Sequence, residues 1–121
     1  MILDYLDPEK KIFAHRLYRN HCTLEKGFYV KDLRIANRNL EDVAIVDNSA
    51  FSFFLQPENG IPILPFYHYS KDRELEDLLV FLKELVKYED MRDMIRRTFF
   101  WDAYMKEYGD IKKIFLRKMG H

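Results

Sequence analysis

Hydrophobic positions along this chain change their period several times, and each change marks an element. The clearest run lies at residues 72–87, where Leu75, Leu78, Leu79, Leu82, Leu85 and Val86 recur at helical spacing among Glu74, Glu76, Asp77, Lys83 and Glu84. The spacing predicts an amphipathic helix with its leucine stripe in the core and Ser70 or Asp72 as cap. At the start, Ile2, Leu3 and Leu6 share one helical face before Asp7-Pro8 breaks the pattern. Residues 90–118 read as mainly helical with a break near Gly109. Met91, Ile95, Phe99 and Phe100 line one face there, and an aromatic stripe continues through Trp101, Tyr104 and Tyr108. That stripe packs on the domain or meets a partner.

Between these helices the apolar runs are short. Residues 12–18 read as a strand. Residues 22–24 and 28–30 flank Glu25-Lys26-Gly27 and predict a hairpin with glycine in the turn. Residues 43–46, Val-Ala-Ile-Val, form a continuous apolar run that ends at Asp47-Asn48. Such a run fits a buried parallel strand or a piece of buried helix, and the polar pair at its carboxyl end favours the strand. Phe51, Phe53, Phe54 and Leu55 form an aromatic cluster, and residues 56–60 are a loop. Residues 61–64 give a second apolar run, which Pro62 confines to an edge strand or a strand end.

Composition narrows the class. The 121 residues make one small domain, and 48% hydrophobic with 16% aromatic content is ample for a core. Twenty basic residues balance twenty acidic ones, so no net field draws nucleic acid or an anionic membrane. Cys22 is the single cysteine, which excludes an intrachain disulfide. The amino terminus lacks the pattern of a signal peptide, and no apolar run reaches the roughly 18 residues of a transmembrane helix.

Candidate chemistry concentrates after the short strands. Asp47-Asn48 follows an apolar run, the place where open α/β sheets bind ligands, although an ordinary strand-to-turn ending reads the same way. Lys31 follows the hairpin and on its own reads as a solvated lysine. Arg19 at a strand end pairs with a carboxylate or faces a ligand. Cys22 reads as a small buried hydrophobe rather than a nucleophile. His15 and His21 have no zinc spacing with a second cysteine, and His68 between two tyrosines reads as packing or surface.

Three blocks then carry a resemblance: residues 17–33 (LYRNHCTLEKGFYVKDL), residues 43–49 (VAIVDNS) and residues 59–63 (NGIPI). In order and spacing they resemble the small C-terminal-domain and Dullard-like phosphatases of the haloacid-dehalogenase superfamily. The match runs over residues 1–88, leaving 89–121 as a helical extension. The resemblance implies an α/β fold: part of a haloacid-dehalogenase-like, Rossmann-like parallel sheet with flanking helices. It implies a protein phosphatase acting on phosphoserine and phosphothreonine through a phosphoaspartate, with Mg2+ as cofactor and a phosphoprotein as substrate. Lys31 matches the family's lysine, which relieves repulsion between a carboxylate nucleophile and phosphate. Asp47 and Asn48 match its metal-side pair, with Asn48 offering an amide oxygen and Asp47 orienting Lys31 or a metal-bound water. Arg19 matches an arginine near the substrate groove. Ala50 stands where the family has proline after Asp-Asn-Ser.

One motif is missing. The family's nucleophile lies in an Asp-x-Asp at the end of its first strand, and no Asp-x-Asp occurs in this sequence. The expectation is a sheet without its central strand, and hence a chain that is marginally stable, self-associates or takes up an N-terminal complementing segment. Direct contact with nucleic acid is not expected. The alternative to an enzyme is a non-catalytic module that binds a phosphoprotein or partner. The resemblance places the protein inside the cell, in the nucleus or at the nuclear envelope or endoplasmic reticulum.

Overall fold

A computed structural model describes residues 2–25, 28–66 and 71–99. Helix α1 spans Ile2–Leu6 and buries none of its side chains. It is held from outside: the Arg16 guanidinium donates to Asp4 Oδ1 at 2.8 Å and to the Leu3 and Asp7 carbonyls at 3.3 and 2.5 Å. Asp7, 3% exposed, organises the loop that follows. Its carboxylate accepts the backbone N–H groups of Lys11, Ile12 and Phe13 at 2.8, 3.1 and 3.1 Å. Burial works to raise the Asp7 pKa, but those three donors and the Arg16 charge outweigh it and hold the carboxyl below its ordinary value.

The strand expected at residues 12–18 does not form. Val, Ile and aromatic residues favour a strand only when a neighbour can pair with it, and neither described sheet runs alongside this segment. Ile12 and Leu17 are accordingly exposed.

The hairpin does form. Strand β1, Thr23–Glu25, pairs antiparallel with β2, Phe28–Val30, matching Thr23 to Val30 and Glu25 to Phe28. The glycine turn lies outside the described residues. Val30 is buried, and Lys31 follows it directly. Asp32 then caps a 3-10 turn at Leu33–Ala36 by accepting the Arg34 N–H. Asn37 ends the turn in the left-handed region at φ 52°, a conformation asparagine tolerates.

The run at residues 43–46 resolves as a strand. β3, Ile45–Asp47, pairs in parallel with β4, Gly60–Pro62. Pro62 is the last residue of β4, where its missing N–H interrupts little, and the Ile63 N–H resumes the ladder to the Asp47 carbonyl at 3.2 Å. The crossover at residues 48–59 carries two 3-10 turns, Ala50–Phe53 and Pro57–Asn59. Asn59, 1% exposed, secures the entry to β3 by donating to the Leu40 and Val43 carbonyls at 2.5 and 2.9 Å. Gly60 permits a close approach to the Phe53 ring. A Cβ there would stand 2.3 Å from the Phe53 ring.

Helix α2, Glu74–Leu85, and helix α3, Met91–Thr98, close the core. Asp72 Oδ1 accepts the Glu74 N–H at 2.9 Å and so supports the start of α2; Ser70, the other candidate cap, lies outside the described residues. Asp90 caps α3 through the Arg92 N–H at 3.0 Å. The core joins Leu33, Ile45, Phe53, Ile61, Leu85 and Ile95, with Leu78, Phe81 and Leu82 of α2 and Met91, Met94 and Phe99 packed against it. The rings of Phe81 and Phe99 meet edge-on at 5.6 Å. The expected face of Met91, Ile95 and Phe99 thus packs on the body, while Phe100 and the aromatic stripe beyond it lie outside the described residues.

The leucine stripe of α2 is only partly core. Leu78, Phe81, Leu82 and Leu85 pack inward, but Leu75, Leu79 and Val86 are 73%, 54% and 66% exposed. At 100° per residue these three fall within about 40° of each other, next to the packed arc. The helix is apolar over a wider arc than a two-stranded sheet can cover.

Candidate active site at the carboxyl end of β3

Parallel pairing buries Ile45 and Asp47 and turns Val46 to the opposite, exposed face. Asp47 therefore arrives at the strand end with its carboxylate held inside. Its Oδ1 accepts the Ser49 N–H at 2.9 Å, an Asx turn that bends the chain away from the sheet. Its Oδ2 accepts the Lys31 ammonium at 2.5 Å. Lys31 is placed independently, because its backbone N–H donates to the Ser52 carbonyl at 2.8 Å, tying the end of β2 to the turn after β3. Two residues 16 apart in sequence thus meet through three backbone-anchored elements.

The pair is asymmetric. The Asp47 side chain is 7% exposed and that of Lys31 52%. The carboxylate is fully committed, whereas the ammonium keeps an open side and unused donors toward solvent. A lysine so placed is positive at a fixed point and free to take a second anion.

Asn48 is exposed beside them. Lys31, Asp47 and Asn48 line one groove of about 590 Å³, whose walls continue through Val46, Ile63 and Leu75. Arg19 is elsewhere: its guanidinium carbon sits 5.1 Å over the Tyr29 ring. It lines an adjoining cavity of about 510 Å³, and Lys31 lines both. Three of the four residues singled out from sequence thus converge, and Arg19 stands one cavity away.

The donor set tests the implied metal. Among the described residues no group of three or more His, Cys, Asp or Glu side chains could hold an ion. A hard divalent cation takes about six oxygens. Asn48 offers an exposed amide oxygen, and both Asp47 oxygens are already engaged. These residues fit one flank of an oxygen-ligand site, with the remaining ligands to come from elsewhere.

Sequence reasoning passed over two supports. Gln56 accepts the Leu33 N–H at 3.0 Å and donates to Asp32 Oδ1 at 2.9 Å, fixing the chain just after Lys31. Asp32 also holds the Arg34 guanidinium, which with the Arg34 and Gln56 N–H groups lowers its pKa to about 2 against the pull of burial. The Asp32-x-Arg34 spacing was the available signal, being that of a self-capped turn. His21, read as neither ligand nor nucleophile, accepts the Tyr18 N–H through Nδ1 at 2.9 Å. No helix among the described residues is long and apolar enough to cross a membrane.

A family described as NLI interacting factor-like phosphatase matches residues 1–92. The chain is 44% identical over 98 residues to a "CTD small phosphatase-like protein 2" of Dictyostelium discoideum, covering 81% of this chain and 17% of that protein. It is 44% identical over 94 residues to a "Nuclear envelope morphology protein 1" of Schizosaccharomyces pombe, covering 78% and 20%. It is 38% identical over 97 residues to a "CTD nuclear envelope phosphatase 1" of Xenopus laevis, covering 80% and 40%. The chain spans well under half the length of these relatives. With three-quarters of its residues inside the matched region, the chain belongs to the NLI interacting factor-like phosphatase family.

Proposed function

We propose that this chain is part of a magnesium-dependent protein phosphatase acting on phosphoserine and phosphothreonine through a phosphoaspartate. The observation that carries the reading is the Lys31–Asp47 pair, with its ammonium open to a groove at the carboxyl end of β3. An anionic nucleophile and a phosphate dianion repel each other, and a fixed cation between them relieves the repulsion. Asp47 is the positioning residue: it aims the Lys31 ammonium. Asn48 would lend an oxygen to magnesium, which when bound would neutralise phosphate charge. Arg19 meets the substrate from the neighbouring cavity.

No Asp-x-Asp is present in the 121 residues, so the reading assigns that motif to a segment outside them. There one aspartate attacks phosphorus as the bond to the seryl or threonyl oxygen breaks. The second donates a proton to that leaving oxygen. It then takes a proton from the water that attacks the phosphoaspartate, and both carboxyls return to their starting state. We assign the phosphatase part to residues 1–88 and treat 89–121 as a helical extension, docked through α3. The names of the yeast and frog relatives support a nuclear-envelope setting.

The test is phosphate release from para-nitrophenyl phosphate with magnesium, by the chain alone and with the upstream segment restored. Release should appear only with the segment and fall at least about 100-fold in Lys31→Ala, the scale of losing one electrostatic contact to the transition state. Activity from the 121 residues alone, abolished by Lys31→Ala, would sink the assignment of the nucleophile. A second reading, a non-catalytic module that binds a phosphoprotein, is favoured by the absent motif. Phosphopeptide binding with no turnover in any form of the protein would select it.

A further inference from the structure

The ion pair at the groove is held from behind by one short piece of chain. The crossover that leaves β3 fastens both of its members. The Ser49 N–H donates to Asp47 Oδ1 at 2.9 Å, and the Ser52 carbonyl accepts the Lys31 N–H at 2.8 Å. Gln56 supplies a side-chain part of this clamp. Its Oε1 accepts the Leu33 N–H at 3.0 Å, and its Nε2 donates to Asp32 Oδ1 at 2.9 Å. Gln56 is itself set by its turn, because its N–H donates to the Phe53 carbonyl at 3.0 Å. A side-chain amide offers an acceptor and a donor side by side, and here it spans two successive residues. Leu33 is buried, so an unpaired N–H there is costly. Gln56 lines neither cavity.

A lysine does not place its own charge. Its four-carbon stem is flexible, and the ammonium stands where the backbone origin and the partner carboxylate put it. Here the origin is fixed at Lys31 by the Ser52 carbonyl and, over the next two residues, by Gln56. We propose that Gln56 is a second positioning residue of the site: it locks Asp32 and Leu33 to the crossover and so sets the Lys31 ammonium against Asp47, while bonding to neither partner. Loss of the amide leaves Lys31 attached through β2 and the Ser52 carbonyl, and its stem then drifts relative to Asp47. The catalytic consequence rests on the phosphatase reading above; the effect on the ion pair does not.

The experiment compares Gln56→Met, Gln56→Glu, and Gln56→Glu combined with Asp32→Asn, at about pH 8 where aspartate and glutamate side chains are ionised. Methionine keeps the length and bulk of the side chain and removes both donor and acceptor. Glutamate keeps the acceptor for Leu33 but sets a carboxylate against Asp32. The double variant exchanges donor and acceptor and restores the bridge. The first readout, on the 121-residue chain, is the nitrogen resonance of the Lys31 ammonium by NMR, with hydrogen exchange at the Lys31 amide. Both single variants should move that resonance toward those of exposed lysines and speed the exchange at least about ten-fold, and the double variant should return both. Ile95→Val trims a fully buried side chain of α3, lowers the thermal melt and should leave the Lys31 resonance in place. The second readout is phosphate release with the upstream segment restored. In Gln56→Met, kcat should fall at least about ten-fold with KM within about three-fold, as for a displaced group that acts on the transition state, and the double variant should recover to within about three-fold of wild type. An unmoved Lys31 resonance in Gln56→Met, a double variant no better than Gln56→Glu, or an equal shift in Ile95→Val would overturn the inference. If Gln56→Met does not fold, the comparison of Gln56→Glu with the double variant decides. A Lys31 resonance that moves and is rescued, in a protein that releases no phosphate in any form, would count against the phosphatase reading and leave the positioning role standing. Phosphate release at the wild-type kcat in Gln56→Met would do the reverse.

Discussion

Gly60→Ala is a small change with a large expected effect. The backbone at Gly60 has φ −89° and ψ 127°, which alanine adopts without strain. On backbone grounds alone the substitution would stabilise the chain by about 0.4–1 kcal/mol, through lost freedom in the unfolded state. The new methyl, however, would meet three Phe53 ring carbons at 2.3, 2.4 and 2.8 Å. Carbon atoms pack best about 3.5–4.0 Å apart, so ring or strand must give by about 1 Å or more. Phe53 is 1% exposed and sits in one cluster with Ile45, Ile61 and Leu85. Overpacking of such a site costs about 1–3 kcal/mol, which against that gain leaves a net loss of about 0–2.6 kcal/mol, and contacts this short place it in the upper half, about 1.3–2.6 kcal/mol. For a domain of this size, at about 3–6 °C per kcal/mol, that lowers Tm by about 4–16 °C.

The effect should reach the site. Phe53 follows Ser52, whose carbonyl anchors the Lys31 N–H, so a displaced ring moves the ammonium that closes on Asp47. The assay is urea unfolding of the wild type, Gly60→Ala, Phe53→Leu and the double variant. A leucine at 53 makes room for the new methyl, so the double variant should lose at least about 1 kcal/mol less than the sum of the singles. A Gly60→Ala chain as stable as wild type, or a strictly additive cycle, would refute the reasoning.

Two further predictions follow from a half-buried carboxylate and a buried amide. Asp32 has an ordinary unfolded pKa of about 3.9 and a folded pKa of about 2. Its contribution to stability is therefore complete above about pH 4 and lost as pH falls toward 2, and Asp32→Asn should flatten the acid limb of a pH–stability curve in that window. Asn59→Leu removes both bonds to the Leu40 and Val43 carbonyls while adding a bulkier side chain at a site 1% exposed. Stranding two part-buried acceptors costs up to about 1–3 kcal/mol each, so this variant should be clearly less stable than wild type by chemical denaturation, and wild-type stability would contradict the role given to Asn59.

How far the sequence disclosed the molecule depended on whether each signal was local. The hairpin around residues 26–27, the strand ending at Asp47 and the strand end at Pro62 were legible because turn residues and proline act on their own neighbours. The Lys31–Asp47 contact was not legible from spacing. The pair stands sixteen positions apart, and the Ser52 carbonyl and the Ser49 turn help bring it together; resemblance supplied the pairing that periodicity lacked. Asp7 read as a helix breaker, yet it accepts three backbone N–H groups, a role set by the loop's return and not by residue type.

The two misreadings share one physical origin. Residues 12–18 have the composition of a strand and, among the described residues, no strand to pair with; Leu75, Leu79 and Val86 have the spacing of a core stripe and stay exposed. Hydrophobic pattern records what a residue is suited to touch, whereas burial records what is present to touch it. Where the two disagree at one isolated residue, an ordinary exposed side chain is the explanation. Here they disagree along α2 and along residues 12–18, and Val46 and Leu75, both exposed, line the same groove as Lys31 and Asp47.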